Sequence, residues 1–457
     1  MWLKVGRKYW RNYLMINLFE RFDRPSLDFL RSQVIAKIKI PTVAMYDDGF
    51  LPENIDSPIQ YFCKLGGNKK PLYFDQLPVP DFWRIDANGS KASVFDMNRR
   101  RANIFFSATN NSRLVKEVQW LDSYGKVAWV DHYDQHGQRF AKTIYSSGRA
   151  VSRKYFDNRG RLVLTWNLIA DDLFLHTGLE QRHFASYVDF VCYYLNVRHY
   201  NLDHVFINTL NKSLAVVLRL KPDGEDTIFW HEATDKDLPG NMKFVMENKT
   251  RVKHIVFQRF EDWQRRVEFL PEDTGNVDFR YLGIIYPHPR SNQLRANALI
   301  FTNSDQIEHL DDLVKMLPNV HFNIAAITEM SSKLMAFQDY PNVDLYPVVK
   351  PNRVKQLIND CDIYFDINHG NEILDSVRGA FEQNMLILGF KNTLHQPQLV
   401  AAENIFDPNN TTGMAQQVLT ALVQPRKMKK LIDEQRLVAS DMKIEDYKKV
   451  LGALINE

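Results

Sequence analysis

The sequence predicts an α/β protein interrupted by an all-β insertion. Apolar, strand-like runs alternate with helix-patterned segments up to about residue 70, and again from about 180 to the end. Between these stretches helical periodicity disappears. Short β-rich runs there are punctuated by Asp/Asn/Gly turns at the spacing of hairpin-linked antiparallel strands. The chain has 457 residues, more than one hydrophobic core usually organises, so several domains are expected.

In the first stretch, Leu27, Leu30, Val34 and Ile35 recur at helical spacing over residues 25–36. The run IPTVAMY (40–46) then reads as a buried strand, and Asp47-Asp48-Gly49 reads as a turn. In the second stretch the turns are Asp86-Ala-Asn-Gly89, Asp122-Ser-Tyr-Gly125, Asp134-Gln-His-Gly137, Ser147-Gly148 and Asp157-Asn-Arg-Gly160. Between the later ones lie KVAWVDHY, RFAKTIYS, AVSRKYF and RLVLTWN, rich in β-branched and aromatic residues. These predict a β-meander with an aromatic face suited to a partner.

The third stretch offers HVFINTL, LAVVLRL, TIFWHE and HIVFQRF as strands. After a pause near 270–290, ALIFTNS, VHFNIAA, VDLYPVV, DIYFDIN and MLILGF follow as further strands. Helical segments separate them, and one carries Leu310, Leu313, Val314 and Leu317 on a single face. Strand–helix alternation of this kind implies a parallel, doubly wound sheet. The expected domains are therefore 1–70 and 180–275 as two parts of an N-terminal Rossmann-like domain, 71–179 as an inserted β-meander, and 276–457 as a C-terminal Rossmann-like domain. Two facing Rossmann-like domains make a GT-B-like arrangement, with a ligand cleft at the carboxyl ends of the strands.

Bulk properties narrow the function. Basic and acidic residues number 58 and 55, a balance that gives no electrostatic case for nucleic acid, and no nucleic-acid module is recognisable. Cys63, Cys192 and Cys361 are widely spaced and form no CxxC, which fits a reducing, cytoplasmic setting better than a disulfide or zinc framework. No run of 18 apolar residues is present. The N-terminus interleaves Lys4, Arg7, Lys8 and Arg11 with Trp2, Tyr9, Trp10 and Tyr13. Such a segment suits either an anionic membrane surface, with the protein peripheral on its cytoplasmic face, or plain solvation.

Three phrases carry a family resemblance: DDGFLPENIDSPIQYF (47–62), TNSDQIEHLDDLVKMLPN (302–319) and DINHGNEILDSVRGAFEQNMLILGF (366–390). They resemble the non-catalytic, stabilising (co-activator) subunit of the accessory-secretion O-GlcNAc transferase for serine-rich-repeat adhesins. The likeness extends over nearly the whole chain, the meander included; residues up to about Leu14 lie beyond it. It implies a catalytic glycosyltransferase sister of the same fold as partner, a serine-rich-repeat acceptor as client, and no cofactor of the chain's own.

Retaining transferases of the related family carry two glutamates eight positions apart, at the loop and first turns of a helix in the C-terminal domain. The corresponding helix here is expected over Glu372–Glu382. Aligning on the following strand places Asn371 and Gly379 at the two positions, and aligning on the loop places Asn368 and Ser376 there. The acids that do occur, Glu372 and Glu382, are ten apart and point to different faces of a helix. This deficit argues against independent catalysis. The alternative, an active retaining GT-B transferase using UDP-GlcNAc, would have to work through Glu372.

The loop Asn368-His369-Gly370-Asn371-Glu372 is the leading candidate for contact with sugar or acceptor. It follows a predicted strand at its carboxyl end, and its side chains offer both donors and acceptors. The other reading makes it a structural turn, with Asn371 capping the next helix. Arg259 is a second candidate, facing the cleft or pairing with Glu261 or Asp262. His231-Glu232 is a third, but without an HExxH it gives zinc no support. TNSDQ is expected to open a helix capped by Asn303 or Ser304. Arg426, Lys427, Lys429 and Lys430 form a basic patch, either a solvated helix face or a membrane contact.

Overall fold

A computed structural model describes residues 15–66, 70–88, 91–107, 113–178, 180–221, 223–232, 238–267, 274–275 and 277–456. The basic–aromatic N-terminal segment lies outside the described residues. Three sheets organise the chain. The first has seven strands in the order Asp278–Tyr281, Val252–Phe257, Asp226–Trp230, His204–Ile207, Met15–Phe19, Thr42–Ala44, Ile55–Asp56. Met15–Phe19 runs parallel to both neighbours, so strands far apart in sequence meet at the middle of the sheet. The second sheet is the meander: ten antiparallel strands in strict chain order, from Trp83–Ala87 to Glu180–Phe184. The third has six parallel strands in the order Val343–Tyr346, His321–Ala326, Asn297–Thr302, Ile363–Asp366, Leu386–Phe390, Ile405–Phe406. The expected ingredients, two Rossmann-like sheets and an inserted meander, are all present, which is the make-up of a GT-B-like fold.

The chain divides into two compact units. One comprises Met1–Val256, Pro271–Arg280 and Leu454–Glu457; the other comprises Phe257–Leu270 and Tyr281–Ala453. The last meander strand, Glu180–Phe184, pairs with Leu173–Thr177 and so carries the sheet past residue 179.

The meander turns form as their residues demand. In the three Asp-x-x-Gly turns from Asp122, Asp134 and Asp157, the carboxylate Oδ1 accepts two backbone N–H groups of its own turn, at 2.8–3.0 Å. The glycine closing each turn has φ of 73–77°, a left-handed conformation a side chain would strain.

Two local expectations are corrected. The helix Arg24–Ile35 begins with Asp23 accepting from the Ser26 N–H at 3.2 Å. Of the expected stripe Leu27, Leu30, Val34 and Ile35, Leu30 is buried, Leu27 and Ile35 are half-buried and Val34 is 56% exposed; the buried face holds Ser26, Phe29, Leu30 and Gln33. The reason is polar: Gln33 and Asn17 exchange side-chain hydrogen bonds of 2.8 and 3.1 Å beneath the helix, which satisfies both buried amides. The run LAVVLRL is not a strand but most of the helix Lys212–Arg219. Glu20 accepts the Lys212 N–H at 3.0 Å at its start, and Leu214, Val216 and Val217 are buried, so tertiary packing overrides β-branched propensity.

The meander packs on the first sheet at the Asp47-Asp48-Gly49 turn. Gly49 has φ of 86°, and a Cβ there would lie 2.8 Å from Asp134 Cα. The Tyr187 hydroxyl donates to the Met45 carbonyl, and the Tyr187 ring stacks on Tyr46 and Trp166 at 4.7 and 4.6 Å. The three cysteines are free, Cys63 and Cys361 buried. Among the described residues no helix is long and apolar enough to cross a membrane.

Candidate functional site

Ile363–Asp366 lies inside its sheet, between Asn297–Thr302 and Leu386–Phe390, and every residue in it is buried. The chain leaves its carboxyl end at Ile367 and forms the candidate loop. Asn368 is 3% exposed; its Oδ1 accepts from the Thr302 hydroxyl at 2.8 Å and from the Gly370 N–H at 3.1 Å. His369 is exposed and pairs with Glu308 through Nε2. Gly370 approaches the preceding loop so closely that a Cβ would fall 1.9 Å from Asn303 Oδ1.

The anchor beneath this loop is Asp366, 2% exposed. It accepts from the His395 backbone N–H at 2.8 Å and from His395 Nδ1 at 2.5 Å. His395 Nε2 reaches the Gly370 carbonyl at 2.7 Å. The Asp366 hydrogen bond is the chief reason the His395 pKa rises to about 9, so the protonated ring donates at both nitrogens near neutrality. Sequence reasoning selected neither residue. Asp366 lies inside a strand-like run, His395 follows the next strand, and no local pattern joins them.

Glu372 does not lie on a helix; the helix runs from Ser376 to Glu382. The expected longer helix is prevented by the turn through Leu374 and Asp375, both at positive φ. The Glu372 carboxylate accepts the Val377 N–H at 2.9 Å and is held by Gln396 Nε2 at 2.8 and 3.0 Å. It therefore caps the helix from outside, while Glu382 accepts from Arg378 Nε at 2.7 Å. Asn371 is exposed and has no hydrogen-bond partner among the described residues. The loop thus presents two polar side chains outward, His369 and Asn371, and holds two inward, Asn368 and Glu372.

The remaining candidates fall elsewhere. TNSDQ starts no helix. Ser304–His309 instead runs beside the candidate loop, with Ile307 bridging Asn368 and Glu308 N–H donating to the Ile367 carbonyl at 2.8 Å, and the helix begins at Leu310. Leu310, Leu313 and Val314 are its buried face, as the spacing requires. Arg259 Nε pairs with the buried Asp262 at 2.9 Å. His231 follows Asp226–Trp230, and burial lowers its pKa. In the basic patch, Lys427 and Lys430 both pair with Glu403, at 2.6 and 3.3 Å. No cluster of metal-ligating side chains occurs among the described residues.

Four family models match consecutive parts of the chain: GtfB N-terminal domain (16–62), GtfB middle domain (83–185), GtfB third domain (187–269) and GftB/GlyA-F C-terminal domain (298–435). The UDP-N-acetylglucosamine–peptide N-acetylglucosaminyltransferase stabilizing protein GtfB of Limosilactobacillus reuteri subsp. suis is 55% identical over 444 residues, covering 97% of this chain and 100% of that protein. The chain belongs to the GtfB family. The stabilizing protein GtfB of Streptococcus agalactiae is 38% identical, covering 97% of this chain and 100% of the relative. A chain of the crystal structure described as the GtfA/B complex bound to UDP and GlcNAc superposes with a TM-score of 0.91 at 37% identity, over 96% of this chain and 99% of that one. The middle-domain match coincides with the ten-stranded meander, so the insertion belongs to the GtfB family pattern.

Proposed function

We propose that this chain is the non-catalytic partner of a protein O-GlcNAc transferase. It stabilises a catalytic glycosyltransferase of the same fold and binds the serine-rich-repeat acceptor, so that GlcNAc passes from UDP-GlcNAc to Ser or Thr before export. The single observation that carries the reading is the state of the loop after Ile363–Asp366 in a member of the GtfB family. Aligned on the strand, Asn371 and Gly379 take the positions of the transferase glutamates; aligned on the loop, Asn368 and Ser376 take them; and Glu372, which lies nearby, caps a helix. A carboxylate oriented by a backbone N–H and a glutamine amide is committed to holding this loop, which favours a structural role over a chemical one. The relatives' names as stabilizing proteins agree with this assignment. His369 and Asn371, facing outward, are the proposed contacts for GlcNAc-serine or acceptor peptide, with Asn368 and Glu372 shaping the loop and Arg259 as a further contact.

The test is co-expression of a serine-rich acceptor and the catalytic sister, with and without this chain. Glycosylation and soluble sister should both depend on it, and the purified chain alone should neither transfer GlcNAc nor hydrolyse UDP-GlcNAc. Turnover by the isolated chain would overturn the reading. Within the same proposal the protein works in the cytoplasm, with its basic–aromatic N-terminus resting on anionic lipid. Flotation with phosphatidylserine vesicles, before and after removal of residues 1–14, tests that part separately.

A further inference from the structure

The first unit contains a cavity of about 570 Å³ that the candidate loop does not share. It opens where the chain leaves Met15–Phe19 and Thr42–Ala44 at their carboxyl ends, close to the point where the sheet order reverses. Open parallel sheets bind ligands at such a position. Its opposite wall is one face of the meander. The volume falls within the roughly 300–1,000 Å³ typical of small-molecule sites.

The lining is graded. At the bottom lie Phe140, Tyr155 and Trp166, which are 2%, 2% and 7% exposed. The half-buried Tyr46 ring lies nearly parallel to Trp166, 17° between planes and 6.1 Å between centroids. At the mouth, Lys116 Nζ and Asp48 Oδ2 pair at 2.6 Å. The Arg21 guanidinium lies over Tyr46 at 5.1 Å and has no carboxylate partner among the described residues. One wall carries a continuous polar chain. Glu117 Oε1 meets His132 Nδ1 at 3.3 Å, His132 Nε2 meets Thr143 Oγ1 at 2.8 Å, and Arg153 Nε donates to Thr143 Oγ1 at 2.7 Å.

The chemistry selects the ligand class. Three basic residues line the space (Arg21, Lys116, Arg153) against four acidic ones (Asp23, Asp47, Asp48, Glu117). A nucleotide or phosphate, with its concentrated negative charge, would meet more repulsion than neutralisation. Apolar ring surface at the base suits the C–H groups of a saturated ring, and carboxylate, guanidinium and imidazole groups on the walls match hydroxyls and an amide. We propose that this cavity binds a neutral pyranose, an N-acetylhexosamine either linked to serine or free. The choice of that sugar rests on the acceptor-binding reading above; the choice of a neutral hydroxylated ring rests on the cavity itself.

The test is calorimetric titration of the full-length chain with three probes: a serine-rich peptide carrying O-linked GlcNAc, the same peptide unglycosylated, and GlcNAc alone. Wild type is compared with Glu117→Gln, Arg21→Ala and Asn371→Ala, each checked for an unchanged thermal melt. The glycosylated peptide should bind more tightly than the bare one, and Glu117→Gln and Arg21→Ala should each weaken it about tenfold. Equal affinity for the two peptides, or affinity untouched by both cavity variants, overturns the cavity proposal and leaves acceptor binding standing. Sensitivity confined to Asn371→Ala has the same meaning. Binding of free GlcNAc that both cavity variants weaken, with neither peptide bound, upholds the cavity and removes the acceptor reading. Failure of all three probes overturns both.

Discussion

At the carboxyl end of Ile363–Asp366, polar side chains are mostly spoken for by neighbours in their own unit: Asp366 by His395, Glu372 by Gln396 and a backbone N–H, Asn368 by Thr302 and Gly370. At the carboxyl ends of Met15–Phe19 and Thr42–Ala44, Arg21 and Tyr46 border open space instead, with the Lys116–Asp48 pair at its mouth. Two sheets of similar topology have thus been put to different uses. Where a transferase keeps its acids, side-chain hydrogen bonds have been turned to holding a loop still. In the other sheet, the inserted meander supplies a second wall and so makes a pocket the bare sheet would lack. Position in a fold marks where chemistry is convenient; only the occupancy of the polar groups says whether it remains available.

The contrast can be broken at either end. The largest effect is expected at the seam that builds the cavity. Gly49→Val places a side chain against the Asp134 backbone at positive φ, and should destabilise the first unit by about 3 kcal/mol or more in denaturant unfolding. Next comes the latch of the other sheet. His395→Ala leaves the buried Asp366 carboxylate without its ring donor and should cost about 3 kcal/mol, seen as a lower melting temperature of the second unit. A gentler way to open it is alkali. The folded pKa of His395 is about 9, above the ordinary value of 6.5, so its contribution is complete below about 6.5 and lost as pH rises through 9. Amide exchange at Gly370–Ile373, corrected for intrinsic rate, should therefore rise across that window and stay flat in His395→Ala. Glu372→Ala should remove one cap and cost about 1 kcal/mol while acceptor glycosylation in the assembled complex persists. Asn371→Ala, at an exposed and unpartnered position, should shift stability by less than about 0.5 kcal/mol, so any loss of acceptor affinity there reads on binding alone.

Much of this architecture is legible in the sequence. The Asp-x-x-Gly turns announced the meander because each aspartate and glycine does its work within five consecutive residues. Four of the five strands expected of the C-terminal sheet are visible as apolar runs because both faces are covered; the fifth, the edge strand Val343–Tyr346, is only partly buried. What failed depended on distant partners. LAVVLRL has the composition of a strand, and only Glu20 and the surrounding core make it a helix. Val34 looked like core until Gln33 found Asn17. The candidate loop was located correctly as the segment after Ile363–Asp366, but Glu372's role as an external cap depends on Gln396. The cavity was invisible for the same reason. Glu117, His132 and Arg153 lie on three strands, and nothing in any one strand ties them to Asp47-Asp48-Gly49.

The placement of Met15–Phe19 in mid-sheet bears on how the chain is made. Its partner Thr42–Ala44 is synthesised promptly, but its other neighbour, His204–Ile207, emerges from the ribosome roughly 185 residues later. At a translation speed of about 5–20 residues per second, that is a wait of about ten to forty seconds with an apolar edge uncovered. The meander, whose strands each dock on the one just made, can zip up in the interval and shelter the turn after Thr42–Ala44. The domain inserted between the two halves of the first sheet would thus ease an exposure problem that the strand order itself creates.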